Sequence, residues 1–296
     1  MIIGNTLTDI YEDTIRQFAC INVFGKQQKS QFGDTIEILN YSCCLDNPRS
    51  RFIATENRKH SLKYLIGELI WYLSGERSVE RISHYSKFWN DLRDKKGEVN
   101  SNYGEKIFLK RINGKSQYQY VIDELKRDWT SRRAIMMMNL IDEDYNQMHE
   151  TKDFPCTIFF QFLIRNHKLH MFTTMRSNDF IFGFCNDVIF FTILQEIIAV
   201  ELNIELGKYY HNAISEHLYN RHFSLLNFES ADNKKKLMEI FPKIIKDDLL
   251  YFPRLKDYEE FIRNGDKNKF KSVSGNIVFP KFTQFVIDSL IKIWKK

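Results

Sequence analysis

The stretch that decides the fold runs from Pro155 to Asp187 and reads PCTIFFQFLIRNHKLHMFTTMRSNDFIFGFCND. Two runs of alternating apolar residues, 157–164 and 168–175, are separated by Arg165-Asn166-His167, and this pattern predicts a β-hairpin. A cysteine stands just before the first run, and one arginine and two aspartates follow the second. The stretch therefore predicts a reactive thiol that is held on a sheet beside an anion-binding site.

Further regular elements are predicted on both sides of the hairpin. Helices are expected where apolar residues recur every three or four positions, at 7–19, 61–74, 117–128 and 188–201. Alternation predicts strands at 35–41 and 134–140. Thr6 or Thr8 is the expected cap of the first helix and Ser61 that of the second. The polar stretches 86–104 and 142–153 are expected to be loops.

The composition is that of a globular chain. Its 296 residues are 43% apolar, enough for a substantial core in one large domain or two small ones. A formal charge of +5 favours anionic ligands but is too diffuse to predict the wrapping of nucleic acid. The N-terminal stretch MIIGNTLTDIYEDTIRQF has no basic region and no sustained apolar run. We therefore expect no signal peptide, no membrane span and a cytoplasmic protein.

The cysteines and histidines predict neither a metal site nor a disulfide framework. The five cysteines form no CxxC pair and no Cys/His spacing typical of zinc; they are Cys20, Cys43, Cys44, Cys156 and Cys185. His211, His217 and His222 do not fit a zinc spacing either, and we expect hydrogen-bonding or structural roles for them. Among the cysteines, only Cys156 has neighbours that suggest chemistry.

The chain is predicted to form a single domain, 1–296. From about residue 229 it becomes rich in lysine, with a run at 232–236. Short amphipathic segments near 237–250 and 282–294 predict that this C-terminal extension is helical. No segment is rich enough in Gly, Ser or Pro to mark a linker to a second domain.

Two sets of charged residues allow two interpretations each. Glu68 lies among apolar residues of a predicted helix, and it either faces water from the polar edge or is held inward for function. Arg132 and Arg133 precede a predicted strand, and they either hold a phosphate by bidentate contacts or are ordinary surface charge.

Six short motifs, taken in order, resemble the thymidylate synthase superfamily. They are GELIWYLSG around Glu68, Asn102-Tyr103-Gly104, Ser131-Arg132-Arg133, Pro155-Cys156 followed by FFQF, Arg176-Ser177-Asn178-Asp179 with Gly183, and His217-Leu218-Tyr219. Each motif alone is weak, but their order and spacing over residues 5–225 are highly specific. Cys156 and Arg176 are separated by the same interval as the nucleophile and the phosphate-binding arginine of that superfamily.

This resemblance implies an α/β fold in which a mixed sheet, covered by helices, packs back to back with the sheet of a second subunit. The implied homodimer shares its active sites between subunits. Cys156 is the implied nucleophile, and Arg176 and Ser177 hold the phosphate of a pyrimidine nucleoside monophosphate in the same subunit. Arg132 and Arg133 reach that phosphate from the partner subunit.

The resemblance also implies the remaining roles and the co-substrate, 5,10-methylenetetrahydrofolate, with no metal. A thiolate that adds to C6 of a pyrimidine makes C5 nucleophilic enough to attack a one-carbon electrophile, and nearby arginine charge favours the thiolate. Glu68 is expected to position water and relay protons. By the same resemblance Tyr103 and Asp179 are catalytic, Asn178, His217 and Tyr219 bind the nucleotide, and Trp89, Asp179 and Gly183 bind the folate.

One departure concerns the base. Thymidylate synthases carry an asparagine ten residues beyond the serine that corresponds to Ser177, and this chain has Asp187 there. A carboxyl that is protonated, or that shares the N3 proton, complements the N3 acceptor and N4 donor of cytosine. The segment 176–187, with EVNSNYG at 98–104, most resembles the deoxycytidylate hydroxymethylases. The alternative interpretation of Asp187 is a helix N-cap before Val188.

Other departures concern the product. Methylating members have a closing C-terminal tail that excludes water, whereas this chain ends in FVIDSLIKIWKK, without the usual terminal segment. Thr157 stands where methylating enzymes commonly carry a histidine. The arginine that they contribute from an N-terminal loop has only Lys26 or Lys29 as a candidate counterpart.

The sequence therefore predicts a cytidylate-type 5-hydroxymethyltransferase acting on dCMP or CMP. Two alternatives remain: a thymidylate synthase that methylates dUMP, and a non-catalytic homologue that binds nucleotide or RNA. The presence of Cys156, Glu68 and Arg176 argues against the second alternative, because a non-catalytic protein has no physical need for all three.

Overall fold

A computed structural model describes residues 1–24, 27–30, 32–55, 58–226, 241–275 and 277–295. The strands are β1 (Ile2–Gly4), β2 (Gln28–Ser30), β3 (Gly33–Leu45), β4 (Ile135–Met137), β5 (Thr157–Arg165), β6 (Lys168–Met175), β7 (Asn178–Asp179) and β8 (Glu205–Tyr219). The α-helices are α1 (Leu7–Phe24), α2 (Leu62–Ser74), α3 (Glu80–Ser83), α4 (Trp89–Leu92), α5 (Gln117–Arg127), α6 (Ile141–Asp144), α7 (Cys185–Leu202), α8 (Leu255–Arg263), α9 (Lys267–Ser274) and α10 (Lys281–Ile293).

The chain divides into two compact units, each built from three segments. The first unit comprises Met1–His60, Glu124–Asn139 and Cys156–Ile240. The second comprises Ser61–Asp123, Leu140–Pro155 and Phe241–Lys296. The single domain expected over 1–296 stays a prediction.

A mixed sheet organises the first unit, and the predicted α/β class is confirmed. The main strand order is β1-β3-β8-β6-β5-β4, with β2 on β3 and β7 on β8. β8 runs parallel to β6 and β7 and antiparallel to β3. β8 is therefore the strand that links the hairpin side of the sheet to the β1–β3 side.

The predicted hairpin is confirmed as β5 and β6. Arg165 pairs with Lys168, so the turn consists of Asn166 and His167. Both turn residues have positive φ, 51° and 58°, as the tight hairpin turn that matches strand twist requires. The pairing register shifts at a β-bulge between Thr157 and Phe159, close to the end of the hairpin that the sequence marks as functional.

Helices α1 and α7 bury one face of the sheet. The ring of Phe160 on β5 meets that of Phe191 on α7 at 4.7 Å, and Thr14 of α1 hydrogen-bonds Tyr41 of β3 at 2.8 Å. Burying an aromatic side chain of this kind contributes roughly 1.5–3 kcal/mol. The apolar segment Phe180–Leu202 is long enough to cross a membrane, but 83% of its apolar 18-residue stretch is buried inside the protein, as is typical of a core helix.

The opposite face of the sheet presents apolar side chains that are exposed or half-buried. We call it the open sheet face and define it by Ile135, Met137, Phe159, Phe172, Tyr210 and Ile214. Phe172 and Tyr210 are register partners whose rings stack at 4.4 Å, and Ile214 is 54% exposed. An apolar surface of this extent is typical of an interaction site.

The first unit differs from the sequence prediction mainly in the length and number of its strands. Thr6 is confirmed as the cap of α1, because its Oγ1 accepts from the Asp9 N–H at 3.1 Å. β3 extends beyond 35–41 in both directions, and α7 begins at Cys185 rather than at Val188. β8 was not predicted at all, since its polar and aromatic residues do not show a simple apolar alternation.

The second unit is built around α2, whose predicted cap is also confirmed. Ser61 accepts from the Tyr64 N–H at 3.3 Å, and Gly75 ends the helix in the left-handed conformation. α10 matches the segment predicted near 282–294, whereas the described part of the segment predicted near 237–250 has a 3₁₀ helix at Lys246–Leu250. α8 and α9 were not predicted individually, and the lysine run at 232–236 lies outside the described residues.

Several contacts fix these C-terminal helices within the second unit. Arg81 of α3 pairs with the fully buried Glu259 of α8. Trp294 Nε1 donates to the Tyr85 hydroxyl at 3.1 Å, and Asp248 accepts from the Thr283 N–H at 2.9 Å. The C-terminal part of the chain is therefore integral to this unit's core.

The loops expected at 86–104 and 142–153 each contain a short helix. α4 lies within the first, and α6 occupies the beginning of the second. The loop prediction is wrong at α6 because Asp144 is buried against Lys106, with the ammonium 2.7 Å from its carboxylate, and also accepts from the Leu140 N–H. This anchor comes from a residue distant in sequence and has no local signature.

Candidate active site

The hairpin brings Cys156 and Arg176 to adjacent positions. Thr157 and Met175 are register partners, and the Arg176 N–H donates to the Cys156 carbonyl at 2.9 Å. The Cys156 side chain is half-buried and that of Arg176 is exposed. A thiol and a guanidinium thus flank one strand end, an arrangement that suits a substrate with an anionic group.

β7 and β8 place the next three motif residues beside this pair. Asp179 is the register partner of His217, and Ser177 Oγ lies 3.3 Å from His217 Nδ1. Burial is the main cause that lowers the pKa of His217, while the Asp179 carboxylate opposes it. We call Cys156, Arg176, Ser177, Asp179 and His217 the hairpin-end cluster.

Tyr219 lies two positions beyond His217 and borders the same cluster. Its ring meets that of His217 edge-on at 5.1 Å, and the Arg221 guanidinium lies 3.9 Å from its ring centre. The pKa of Tyr219 is raised, first by burial, with smaller contributions from the charges of Asp179 and Cys156. Tyr219 therefore shares one electrostatic environment with the predicted nucleophile.

A π-helical turn, Phe180–Phe184, connects the hairpin-end cluster to α7. Asp179 caps it by accepting from the N–H groups of Ile181 at 2.9 Å and Phe182 at 3.3 Å. This role holds the Asp179 carboxylate at the start of the turn. Its predicted catalytic and folate-binding roles stay predictions.

The side chains of Asn178 and Asp187 both lie close to Gly183 in this turn. A Cβ at Gly183 would lie 2.3 Å from Asn178 Oδ1 and 3.5 Å from Asp187 Oδ2, so any larger residue there would displace the Asn178 side chain. Asp187 is half-buried in the first turn of α7 and is not its N-cap, because that helix begins at Cys185. The alternative interpretation as a cap is therefore wrong.

A hydrogen bond to the buried His211 fixes the orientation of Asn178. Its Nδ2 lies 3.1 Å from His211 Nε2, and His211 Nδ1 lies 2.9 Å from the Tyr209 hydroxyl. Complete burial lowers the pKa of His211 to about 3, so the ring is neutral and offers one acceptor and one donor. The hydrogen-bonding role expected for His211 is confirmed.

Glu216 is a buried acid that the sequence interpretation missed. It is 0% exposed and is the register partner of Asn178. Neither of its carboxyl oxygens has a hydrogen-bond partner among the residues that the structure describes. The sequence did not predict β8, and a single acidic residue in that stretch gave no signal that would have identified Glu216.

The second unit holds Glu68 in an aromatic environment. Glu68 is 5% exposed, so the interpretation as a solvent-facing residue is wrong. Tyr64 donates its hydroxyl to Glu68 Oε1 at 2.6 Å, and Trp89 Nε1 donates to that hydroxyl at 3.3 Å. Burial raises the pKa of Glu68 to about 7, against a smaller lowering by Tyr64. Such a carboxyl exchanges protons readily near neutral pH.

Tyr103 lies at the start of a short helical stretch of the same unit. Its ring stacks on Tyr72 at 5.9 Å, with the two planes 4° apart. The neighbouring Asn102 donates to the carbonyls of Trp71 at 2.9 Å and Glu76 at 2.7 Å. A Cβ at Gly104 would lie 1.6 Å from the Tyr72 carbonyl oxygen, which explains the glycine after Tyr103.

Comparison with known proteins identifies the family. The family model for thymidylate synthase matches residues 9–258. The chain belongs to the thymidylate synthase family. Members of this family are one-carbon transferases that use methylenetetrahydrofolate as a co-substrate. The resemblance drawn from the six motifs is therefore confirmed.

Relatives within the thymidylate synthase family carry two different names. The deoxycytidylate 5-hydroxymethyltransferase of Enterobacteria phage T4 is 34% identical over 203 residues, which cover 65% of this chain and 79% of that protein. The thymidylate synthase of Fusobacterium nucleatum subsp. nucleatum is 29% identical over 190 residues, covering 64% and 68%. The thermostable thymidylate synthase A from Bacillus subtilis matches in structure, with a TM-score of 0.60, 22% identity and coverage of 76% and 85%.

The remaining predicted residues stay predictions. Arg132 and Arg133 are exposed and lie before the edge strand β4, where Gln161 of β5 donates to the Arg132 carbonyl at 2.8 Å. Lys29 is exposed on β2, and Lys26 lies outside the described residues. No group of three or more potential metal ligands occurs among the residues that the structure describes.

Proposed function

We propose that this chain is a 5-hydroxymethyltransferase that acts on dCMP or CMP and takes its one-carbon unit from 5,10-methylenetetrahydrofolate. The observation that carries the proposal is Asp187. It is half-buried close to Gly183, where the superfamily's methylating members have an asparagine, and it does not serve as a helix cap. A protonated carboxyl there matches the N3 acceptor and N4 donor of cytosine better than the N3 donor and O4 acceptor of uracil.

The hairpin-end cluster supports the first chemical step. The Cys156 thiolate bonds to C6 of the base, and the electron pair of the C5–C6 double bond shifts so that C5 becomes nucleophilic. Arg176 and Ser177 hold the phosphate, and His217 and Tyr219 meet the sugar. The neutral state of His217 at neutral pH suits a hydrogen-bonding role toward a hydroxyl.

The second step joins C5 to the one-carbon unit, and the third divides the two possible products. Once C5 has lost its proton and the bond from the one-carbon unit to tetrahydrofolate has broken, C5 carries an exocyclic methylene. The methylene takes either hydride from the released tetrahydrofolate, which gives a methyl group, or water, which gives a hydroxymethyl group. Cys156 then leaves C6. Glu68, with its pKa raised to about 7, is the proposed group that positions this water and takes up its proton.

The open sheet face supports the proposal of a homodimer. A second copy of this chain would cover Ile135, Met137, Phe172 and Ile214 with the same residues of its own sheet, as a two-fold interface requires. In such a dimer Arg132 and Arg133 would serve the partner's phosphate site. Their exposure beside the edge strand fits that role.

The decisive experiment is a product assay with pure protein. The protein is incubated with methylenetetrahydrofolate and dCMP, CMP or dUMP in separate reactions, and product masses are measured. The expected product is the hydroxymethyl derivative of the cytosine nucleotide. A methyl product from dUMP alone would identify a thymidylate synthase, and absence of turnover with all three would identify a binding protein.

Mixing two inactive variants tests the shared sites. Cys156→Ser and an Arg132→Ala/Arg133→Ala double variant are each expected to be weak or inactive. If active sites are shared, mixed dimers contain one site with neither defect, and activity returns on mixing. No recovery, although native mass spectrometry detects mixed dimers, would contradict the assignment of these arginines to the partner's site.

A further inference from the structure

We infer that Glu216 is a positioning residue for base recognition: it keeps a proton available to Asp187 and so favours cytosine over uracil. The inference rests on the proposed function, because it concerns the choice of base at the same site. It assigns a role to a residue for which the six family motifs imply none.

The first observation is the location of Glu216. It is the register partner of Asn178, and a Cβ added at Gly183 would lie 2.3 Å from Asn178 Oδ1 and 3.5 Å from Asp187 Oδ2. Glu216 therefore belongs to the small polar region that surrounds the base-recognising carboxyl. All these residues lie within the first unit.

The second observation is that Glu216 is buried without compensation. Its side chain is fully inaccessible, and both carboxyl oxygens lack a hydrogen-bond partner among the described residues. A buried polar group left unsatisfied costs about 1–3 kcal/mol, and more if it is charged. Stability alone would favour an apolar residue here, so the carboxyl calls for a functional reason.

The surroundings of Glu216 keep it protonated. Its pKa is raised well above the usual range, first by burial and then by the negative charges of Asp179 and Asp187. The other titratable groups whose pKa responds to Glu216 are Tyr41, Cys43, Cys185 and Tyr209. Because burial and two nearby negative charges all disfavour its ionised form, Glu216 retains its proton at neutral pH.

Cytosine needs that proton, and uracil does not. When the Cys156 thiolate bonds to C6 of cytosine, the C5–C6 electron pair moves to C4–C5 and the C4–N3 pair moves to N3, which must accept a proton. The Asp187 carboxyl supplies it, and Glu216 restores it to Asp187. Uracil already carries a hydrogen on N3, which pairs with an ionised carboxylate.

The test measures nucleotide binding by calorimetry from pH 6 to pH 8.5, alongside turnover. The wild type is compared with Glu216→Gln, which keeps the shape but holds no titratable proton, and with Glu216→Leu. Glu12→Gln is the matched control, because Glu12 is a buried acid on α1 whose carboxylate pairs with Arg16.

For Glu216→Gln we expect the affinity for dCMP to fall about tenfold or more at pH 8, with a loss of less than about threefold at pH 6. Affinity for dUMP should stay within about twofold of the wild type at both pH values. Glu216→Leu should show the same loss with an unchanged or higher Tm, because it removes an uncompensated buried acid. Glu12→Gln should leave the pH dependence unchanged.

Two results would overturn the inference. One is an unchanged pH dependence of dCMP binding in both Glu216 variants. The other is an equal loss for dCMP and dUMP together with a lowered Tm, which would identify Glu216 as structural. The proposed function fails separately, if the wild type does not hydroxymethylate a cytosine nucleotide, and the binding data would still decide the role of Glu216.

Discussion

The hairpin-end cluster and the Glu68 region carry the predicted chemistry in opposite ways. In the first, Cys156 and Arg176 are partly exposed at a strand end, and backbone pairing alone fixes their separation. In the second, Glu68 lies in mid-helix, buried beside Tyr64, and its surroundings raise its pKa. Register thus positions groups that bind and attack, whereas burial adjusts a group that exchanges protons.

The largest expected effect on activity comes from a substitution in the hairpin-end cluster. Cys156→Ser should lower kcat by at least about 10⁴-fold, because a serine hydroxyl does not replace a thiolate as the nucleophile. Nucleotide binding, measured by calorimetry, should persist because the variant retains Arg176, the proposed phosphate ligand. Cys20→Ser, which changes an exposed cysteine on α1, is the control and should retain full activity. Equal loss in both variants would contradict the assignment.

Glu68→Gln tests the role of the buried carboxyl in the second unit. We expect kcat to fall about 10²–10⁴-fold, the range for loss of a group that transfers protons. The wild-type pH profile of kcat should show an inflection near the pKa of Glu68, about 7, and this inflection should vanish in the variant. An inflection that persists would assign the titration to another group.

Arg176→Ala should weaken nucleotide binding about 10²-fold, because charge-assisted hydrogen bonds to the phosphate are lost. The effect should appear in KM and in the dissociation constant, with a smaller change in kcat. Arg165→Ala, at the turn end of the same hairpin, is the matched control and should change neither. If both variants bind equally well, Arg176 is not the phosphate ligand.

The same burial that adjusts Glu68 should be visible in stability. Its pKa is higher in the folded protein than the ordinary 4.5, so the unfolded chain ionises first as pH rises. The wild type should therefore lose stability relative to Glu68→Gln between about pH 4.5 and 7, by on the order of 3 kcal/mol. Urea unfolding at pH 4 and pH 8 measures this difference, and a gap that is the same at both would refute it.

The smallest effect is expected from Tyr64→Phe. It removes the 2.6 Å hydrogen bond that stabilises the Glu68 carboxylate, so the pKa of Glu68 should rise further. The inflection in the pH profile of kcat should move to higher pH by less than about one unit. Tyr120→Phe, which alters an exposed tyrosine of the same unit, should leave the profile unchanged.

The two regions also differ in how far the sequence could predict them. The hairpin and the closeness of Cys156 to Arg176 followed from local signals: alternation, a short turn, and a fixed interval between two residues. Glu68 remained ambiguous, because the direction of a side chain at the edge of an apolar stripe depends on which elements pack there. Tyr64, four positions earlier, could have suggested a partner on the same helix face.

Residues whose roles depend on contacts between distant parts of the chain were the hardest to predict. β8 contributes His211, Glu216 and His217, yet its mixture of polar and aromatic residues carries no clear apolar period. Glu216 has no distinguishing sequence feature, because its significance comes from pairing with Asn178 on β7. The role of such a residue depends on contacts between elements that are distant in the chain. Secondary-structure propensity contains no information about those contacts.

The paired register of the hairpin also restricts how this protein can change over evolutionary time. Cys156 stays opposite Arg176 only while insertions and deletions occur in matched pairs, one in each strand, such as at Leu163 and its partner His170. A single insertion or deletion in one strand would slip the pairing and separate thiol from guanidinium, although both residues remain encoded. Selection for the active site therefore acts on the length of this segment as well as on its residues.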